Sequence, residues 1–443
     1  MANGGISQGG AKGKRPPRRV VVRQLRLFHH TRYAGVALLQ RAWEALGLPA
    51  VLTAAGIVRR GHSAAALAFA QVVKPLVEAR SQQQLVARCA GDELVGAACG
   101  PLSQPACSRF LNTARFAWPA LTARITAHLQ TRRELRTRPS GLLILDDTIL
   151  EKAGRAMEGL QKLYDTAKQR FVRGYALVTL YYTDARGAYP LGYRLTRRRR
   201  GRPARKAPRG KIALAIALLQ EARAAGVRAR AVVFDAWYCA LTLLHTCDAL
   251  GLPFVTRARS SRCFVVDGRR VTARTLTRRR SRFRAYPRRG LRAYWTPATL
   301  PGYGAVTLVI VHRAGARRAQ VLVTNLRRID WAEILTLYER RWAIEPFFRE
   351  GKQDLGLNAF PERRLQGIEG ALTFACLTAV LLTALARLYP ATRGYTALAL
   401  RAQLVAVTAM LVYTADRLEL LTDPRAPLLA IAMAETRRRR ASS

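Results

Sequence analysis

Acidic residues are what this chain has least of. It sets 27 Asp and Glu against 75 Lys and Arg, a formal net charge of +48 over 443 residues. Like charges repel, so such an excess adds nothing to folding. It selects an anionic partner, and nucleic acid is the one that fits. A bias toward Arg codons would exchange Lys for Arg without removing acids. Paired cysteines are missing too. Cys89, Cys99, Cys107, Cys239, Cys247, Cys263 and Cys376 are odd in number and form no C-x-x-C, which argues against a disulfide framework or a zinc site and fits a reducing cytoplasm. The six histidines have no metal-ligand spacing. The N-terminus lacks an apolar signal core, so the expected location is the cytoplasm of a prokaryote, on the nucleoid. Gly370 to Ala386 is uncharged and at the short edge of a membrane span. Its small residues and Thr, between Glu369 and Arg387, read as a buried core helix, and no membrane partner is expected.

What is present is enough apolar surface for a large core, at 50% of residues, and length for two or three domains. Residues 1–20 read as a flexible basic arm and 21–138 as a helical N-terminal DNA-binding region without strand-like alternation. Within it, Ser103 to Arg115 predicts a short helix with Ser103 as cap and Pro105 in its first turn. It would be the second of a pair, a pattern that a helix-turn-helix DNA reader and any two packed helices share. A polar RTRPSG at 136–141 marks a boundary. Over 139–259 the pattern becomes strand (GLLILDD), hairpin (YALVTLYYTD, AYPLGYRL), helix (Lys211 to Ala225), strand (RAVVFD), helix, strand (PFVTRA). That order predicts an α/β RNase H-like core. Residues 260–326 read as an inserted β-rich domain, 327–390 as the second, helical part of the core, and 391–443 as a C-terminal helical region with a basic tail, Arg437 to Arg440. Two basic clusters, Arg197 to Lys211 and Arg278 to Arg292, are phosphate-binding candidates. The second, led by Arg278, Arg279 and Arg280, has aromatics among its charges that suit base stacking.

Acids at the ends of buried strands in so basic a chain point to metal-dependent phosphodiester chemistry. Two Mg²⁺ ions roughly 3.5–4 Å apart activate one oxygen and stabilise another, and hard carboxylate oxygens hold them best. Asp146 and Asp147 end the apolar LLIL, and Asp235 ends AVVF. Neither place suits a charge without a ligand or partner. A third signal is LYERRWAIEPFFREGKQDL, 337–355. On one continuous helix, Tyr338, Arg341, Glu345 and Lys352 fall within an arc of about 60°. This is the pattern of a metal-binding carboxylate ringed by phosphate contacts, or of a solvated face with an Arg341–Glu345 ion pair. Pro346 and Gly351 would bend such a helix.

The spacing Y-x2-R-x3-E-x6-K resembles the signature of a large family of insertion-sequence DDE transposases. Here it is carried by Tyr338, Arg341, Glu345 and Lys352. LDDT at 145–148 is similar to the family's first motif, where the acid before Thr148 is the ligand, which points to Asp147 over Asp146. VVFDAWY is similar to the second and gives Asp235. The resemblance covers about 140–390 and leaves room for the β insertion the family carries. It implies that Asp147, Asp235 and Glu345 hold two Mg²⁺ (or Mn²⁺) ions. It also implies that Tyr338, Arg341 and Lys352 grip phosphates, that Trp342 packs beside a displaced base, and that a homodimer acts on paired double-stranded DNA ends and on target DNA. Trp295 is a candidate for an aromatic probing an unpaired base. A decayed DNA-binding descendant and an RNase H-like nuclease without strand transfer are the alternatives.

Overall fold

In the computed structural model the described residues are 29–57, 62–112, 117–154, 156–196, 210–327, 329–388, 400–401, 404, 409–413 and 418–421. The basic arm, most of the 197–211 cluster, the side chain of Arg280 and the terminal Arg437 to Arg440 lie outside them.

A strand β1 (His29–Thr31) precedes seven helices: α1 (Gly35–Ala45), α2 (Leu48–Ala54), α3 (Ala64–Val73), α4 (Gln82–Gly91), α5 (Glu93–Cys99), α6 (Gln104–Leu111) and α7 (Trp118–Gln130). Their starts are written in the sequence. Ser63, Ser81, Asp92 and Ser103 each accept a backbone N–H from three residues on, which satisfies a donor the first turn cannot. The α6 start at Ser103, with Pro105 in the first turn, matches expectation. Phe110 of α6 packs on Trp118 and on Phe374, with ring centroids 5.4 and 5.8 Å away, so one face of α6 belongs to the core.

The central strands are β2 (Leu142–Glu151), β3 (Gln161–Asp165), β4 (Arg170–Asp184), β5 (Gly187–Leu195), β6 (Ala231–Phe234) and β7 (Phe254–Arg257), with α8 (Lys211–Ala224) and α9 (Leu241–Ala249) between the last three. In space the order is β5-β4-β2-β6-β7, with β3 beside the start of β4. Pairings are antiparallel through β2, and β2-β6 and β6-β7 are parallel. This mixed α/β sheet is consistent with the expected RNase H-like core.

After β7 come β8 (Cys263–Val266), β9 (Arg269–Thr272), α10 (Ala273–Arg278), β10 (Arg284–Tyr286), β11 (Leu291–Leu300), β12 (Gly304–Arg313) and β13 (Gln320–Thr324). The stretch is β-rich as expected, but it does not form a sheet of its own. β13 pairs antiparallel with β7, and β12, β11, β8 and β9 follow, giving one sheet of 12 strands. An open β7 edge offers unpaired N–H and C=O groups, and β13 takes them.

The remaining elements are α11 (Trp331–Glu339), α12 (Ile344–Gln353), α13 (Leu365–Leu388), β14 (Ala409–Tyr413) and β15 (Leu418–Leu421). α13 is long and apolar enough to cross a membrane, yet 78% of its most apolar window is buried inside the protein. Its threonines bond inward, Thr373 with the Tyr193 hydroxyl (2.9 Å) and Thr378 with the Val72 carbonyl (3.1 Å). The C-terminal region is not wholly helical as expected. β14 and β15 form a hairpin that pairs with β1, and AMLVY has the β-branched and aromatic character that strands favour.

The two sheet faces are distinct. Along β5, Gly192 approaches Leu218 of α8, whereas the Tyr193 hydroxyl reaches Thr373 of α13. Tyr181 of β4 stacks on Phe347 of α12, centroids 5.2 Å apart. One face therefore carries α8 and the other α12 and α13.

Candidate active site

β2 and β6 begin in register. Leu142 lies opposite Ala231 and Leu145 opposite Phe234. Each supplies four apolar residues and then an acid, so the next pair in step is Asp146 and Asp235. Equivalent positions on parallel neighbours face the same way, and adjacent residues on one strand face opposite ways. Asp146 and Asp235 thus share the α12 face, and Asp147 turns to the α8 face.

On the first face, Arg341 Nη1 donates to Asp146 Oδ2 at 2.5 Å, and Asp146 Oδ1 accepts the N–H of Asp147 at 2.9 Å. Burial pushes the Asp146 carboxyl up to about 6; Arg341 opposes this, and the charges of Asp235 and Asp147 add to it. Burial outweighs an ion pair of good length here because most of the carboxylate is withdrawn from water. Asp235 folds its Oδ1 onto the N–H groups of Trp237 (2.8 Å) and Tyr238 (3.3 Å). Burial raises the Tyr338 phenol, with Arg341 and Arg257 opposing and Asp235 reinforcing, which places that ring in the same charged cluster. Arg341 lies over Trp342 (4.4 Å) and Tyr338 (5.9 Å). It is only 8% exposed, and its Nε has no hydrogen-bond partner among the described residues. Trp342 is 54% exposed.

The segment 337–355 is not one helix. α11 ends at Glu339, a 3-10 turn spans Arg340–Ala343, and α12 starts at Ile344. Pro346 is the cause: it has no N–H for the Trp342 carbonyl, and its ring crowds that group. The single arc expected for the four motif residues is accordingly broken. Tyr338 and Arg341 are buried beside the aspartates. Glu345, in the first turn of α12, is exposed and makes no hydrogen bond or ion pair among the described residues. Arg341 is spent on Asp146, so the alternative Arg341–Glu345 ion pair is absent from the described contacts. Lys352 lies farther along, beside Asp165 and Lys168 of the β3–β4 turn, and burial lowers its ammonium pKa.

On the other face Asp147 is fully engaged. Lys211 Nζ, in the first turn of α8, donates to Oδ2 at 2.6 Å, and the Tyr238 hydroxyl donates to Oδ1 at 2.8 Å. Lys211 also lies over Trp237, 5.0 Å from its ring centre. Burial, then the Asp147 charge, holds the Tyr238 phenol well above its usual range. The motif pointed to Asp147, but its carboxylate is taken up by Lys211 and Tyr238.

The Arg278–Arg292 cluster sits on α10, β10 and β11. β11 is four strands from β6 in the sheet order, roughly 19 Å at about 4.8 Å per strand. Arg278 is exposed and Arg279 half-buried. Trp295 projects from β11 at 59% exposure. None of these is gathered to the aspartates.

A divalent cation suits the Asp146–Asp235 pair. Two hard oxygen donors share one face, and a carboxyl pushed up to about 6 by burial and like charge is one that a cation would relieve. Among the described residues no three His, Cys, Asp or Glu groups are close enough together to form a metal site, so Glu345 is not drawn in with the aspartates.

A model of the DDE superfamily endonuclease family matches residues 99–320, half of the chain, and the chain belongs to that family. The match includes Asp146, Asp147 and Asp235 and ends before Tyr338. Membership implies a DNA substrate and use of divalent metal. No curated protein matches the chain.

Sequence reading assigned Tyr238 and Arg257 no role, and Lys211, expected on phosphate with the 197–211 cluster, is bonded to Asp147. Sequence reading also ranked Asp147 above Asp146. LLIL and AVVF are equal in length, and the acid directly after each comes into register.

Proposed function

We propose that this chain is a DNA transposase that nicks transposon ends and joins them to target DNA, with Asp146 in the role first given to Asp147. The observation that carries the reading is the pair Asp146 and Asp235, in step on parallel strands and facing the segment that holds Tyr338, Arg341 and Glu345. Asp146, Asp235 and Glu345 are the residues that would hold the divalent ions. Bound ions supply activation of the attacking oxygen and stabilisation of the leaving one. The protein's own groups prepare the phosphate. Arg341 has a buried Nε with no partner among the described residues, a donor suited to a phosphate oxygen. A phosphate there gives its guanidinium a second anion and loosens its hold on Asp146. The Tyr338 phenol, kept protonated by burial, donates to the same phosphate. Trp342 offers an exposed ring to a displaced base. Joining, rather than cutting alone, rests on the Tyr338–Arg341–Glu345–Lys352 spacing, as does action as a dimer on paired ends.

The test uses the full chain and duplex oligonucleotides from the ends of the DNA segment that carries its gene, with and without Mg²⁺. The parent should nick and then join its 3′ ends to a plasmid. Asp146→Asn and Asp235→Asn should each abolish both steps, and Asp147→Asn should keep them. Loss of nicking in a folded Asp147→Asn protein with normal nicking in Asp146→Asn would reverse the assignment. Nicks without joined products would instead leave a nuclease of the same superfamily.

A further inference from the structure

The β3–β4 ribbon projects an exposed aromatic pair. Tyr164 and Phe171 lie directly opposite each other, 50% and 61% exposed, with ring centroids 5.2 Å apart in a T-shaped contact. The next cross-strand pair on the same face is Lys162 and Arg173, both exposed. Lys162 Nζ sits 4.8 Å from the Phe171 ring centre. Neither cation has an ion-pair partner among the described residues. The other face behaves differently, with Val172 buried and Leu163 half-buried. The acids nearby are committed: Glu151 to Lys168 and Arg170, and Asp165 to the N–H groups of Ala167 and Lys168.

Two large exposed aromatics on a soluble surface mark an interaction site, and the charge around them says which kind. A partner protein's apolar patch would not require two unpaired cations and no free acid. A nucleic-acid strand requires both features, rings to stack a base and cations for its phosphates. The charges of Asp165 and Lys168 in the turn of this ribbon act on Lys352 of α12. β4 itself runs from the Asp146 register, at Thr179, to Phe171. Eight residues at about 3.3 Å each put the aromatic pair roughly 26 Å from Asp146 along the sheet.

We infer that this ribbon face is a single-stranded DNA site, with a base stacked on Tyr164 and Phe171 and phosphates on Lys162 and Arg173. It holds the strand parted from the duplex beside the cut. This last point rests on the transposase reading; the binding does not.

The probe is an oligothymidylate of about 12 nucleotides with one 2-aminopurine, whose fluorescence falls on stacking, compared with a duplex of the same length. Salt is raised until uniform phosphate attraction is weak. The full chain should quench the probe. Tyr164→Ala with Phe171→Ala should lose the quench and bind the strand about ten-fold more weakly, with duplex affinity unchanged. Lys162→Ala with Arg173→Ala should keep the quench and lower the log–log salt slope by about 1.4. Exchanging the rings, Tyr164→Phe with Phe171→Tyr, should behave as the parent, which separates stacking from ribbon fraying. Parent-like quenching by the double alanine variant overturns the inference. So does a loss of self-association with strand binding intact, which would make this face a contact between copies. If no cleavage is ever seen yet the ribbon variants behave as stated, the transposase reading fails and this one stands.

Discussion

Asp146 and Asp147 are neighbours on one strand, yet their carboxylates meet different halves of the protein. Asp147 turns to α8 and finds a lysine and a phenol, each within 3 Å. Its charge is paired and hydrogen-bonded, the condition under which a half-buried carboxylate is stable. Asp146 turns to α12 and finds one arginine together with a second strand-end carboxylate, and burial still pushes it up to about 6. The arginine does not offset burial on that side, and a carboxyl so perturbed beside a second acid is where function tends to sit. The lesson is that charge balance, more than sequence neighbourhood, separates a structural acid from a candidate metal ligand.

The comparison breaks most visibly at Glu345. If the α12 face is the reactive one, Glu345→Gln should lower Mg²⁺-dependent nicking by about three orders of magnitude or more. Its melting temperature should stay at the parent's, because Glu345 has no partner to lose among the described residues. Normal nicking by that folded variant would move the chemistry off this face.

Stability should also depend on pH through Asp146. A carboxyl with a higher pKa folded than unfolded keeps its proton in the folded state while the unfolded chain has already released one. The Asp146 contribution is therefore fully present below about pH 4, where the unfolded group is protonated, and is lost as pH rises through about 6. The size is about 3 kcal/mol. Denaturant unfolding at steps from pH 4 to 7 should show this fall, and Asp146→Asn should remove it. Added Mg²⁺ should raise the parent's melting temperature more at pH 7 than at pH 5, since an ionised carboxylate binds it better. An unchanged pH slope in Asp146→Asn would contradict the burial reading.

Asp147→Asn should act through stability. The Lys211 and Tyr238 contacts lose a charged acceptor, at a cost of about 1–3 kcal/mol, and nicking of the remaining folded protein should stay within about ten-fold. A Trp342→Ala change should be the smallest in the folded protein, under about 0.5 kcal/mol for an exposed ring, and should show itself in weaker binding to ends with unpaired bases. Unaltered end binding would make Trp342 a surface residue only.

The alternation of patterns along 139–259 made the RNase H-like order legible, and helix starts such as Ser103 could be placed to the residue. α13 was legible as a core helix because its threonines and small residues suit helix contacts. β14, β15 and the β13–β7 pairing were not, since the partner of a sheet edge lies far away in sequence and short apolar runs do not name it.

By itself the sequence determined the partner class, through its charge, and the short list of acids that could do metal chemistry. It also held the spacing of Tyr338, Arg341, Glu345 and Lys352. Only the tertiary structure decided which acid of the pair faces Asp235, because strand register sets the face and a one-residue shift reverses it. Only it showed that Arg341 holds Asp146 rather than Glu345, because Pro346 breaks the helix on which the two would have met.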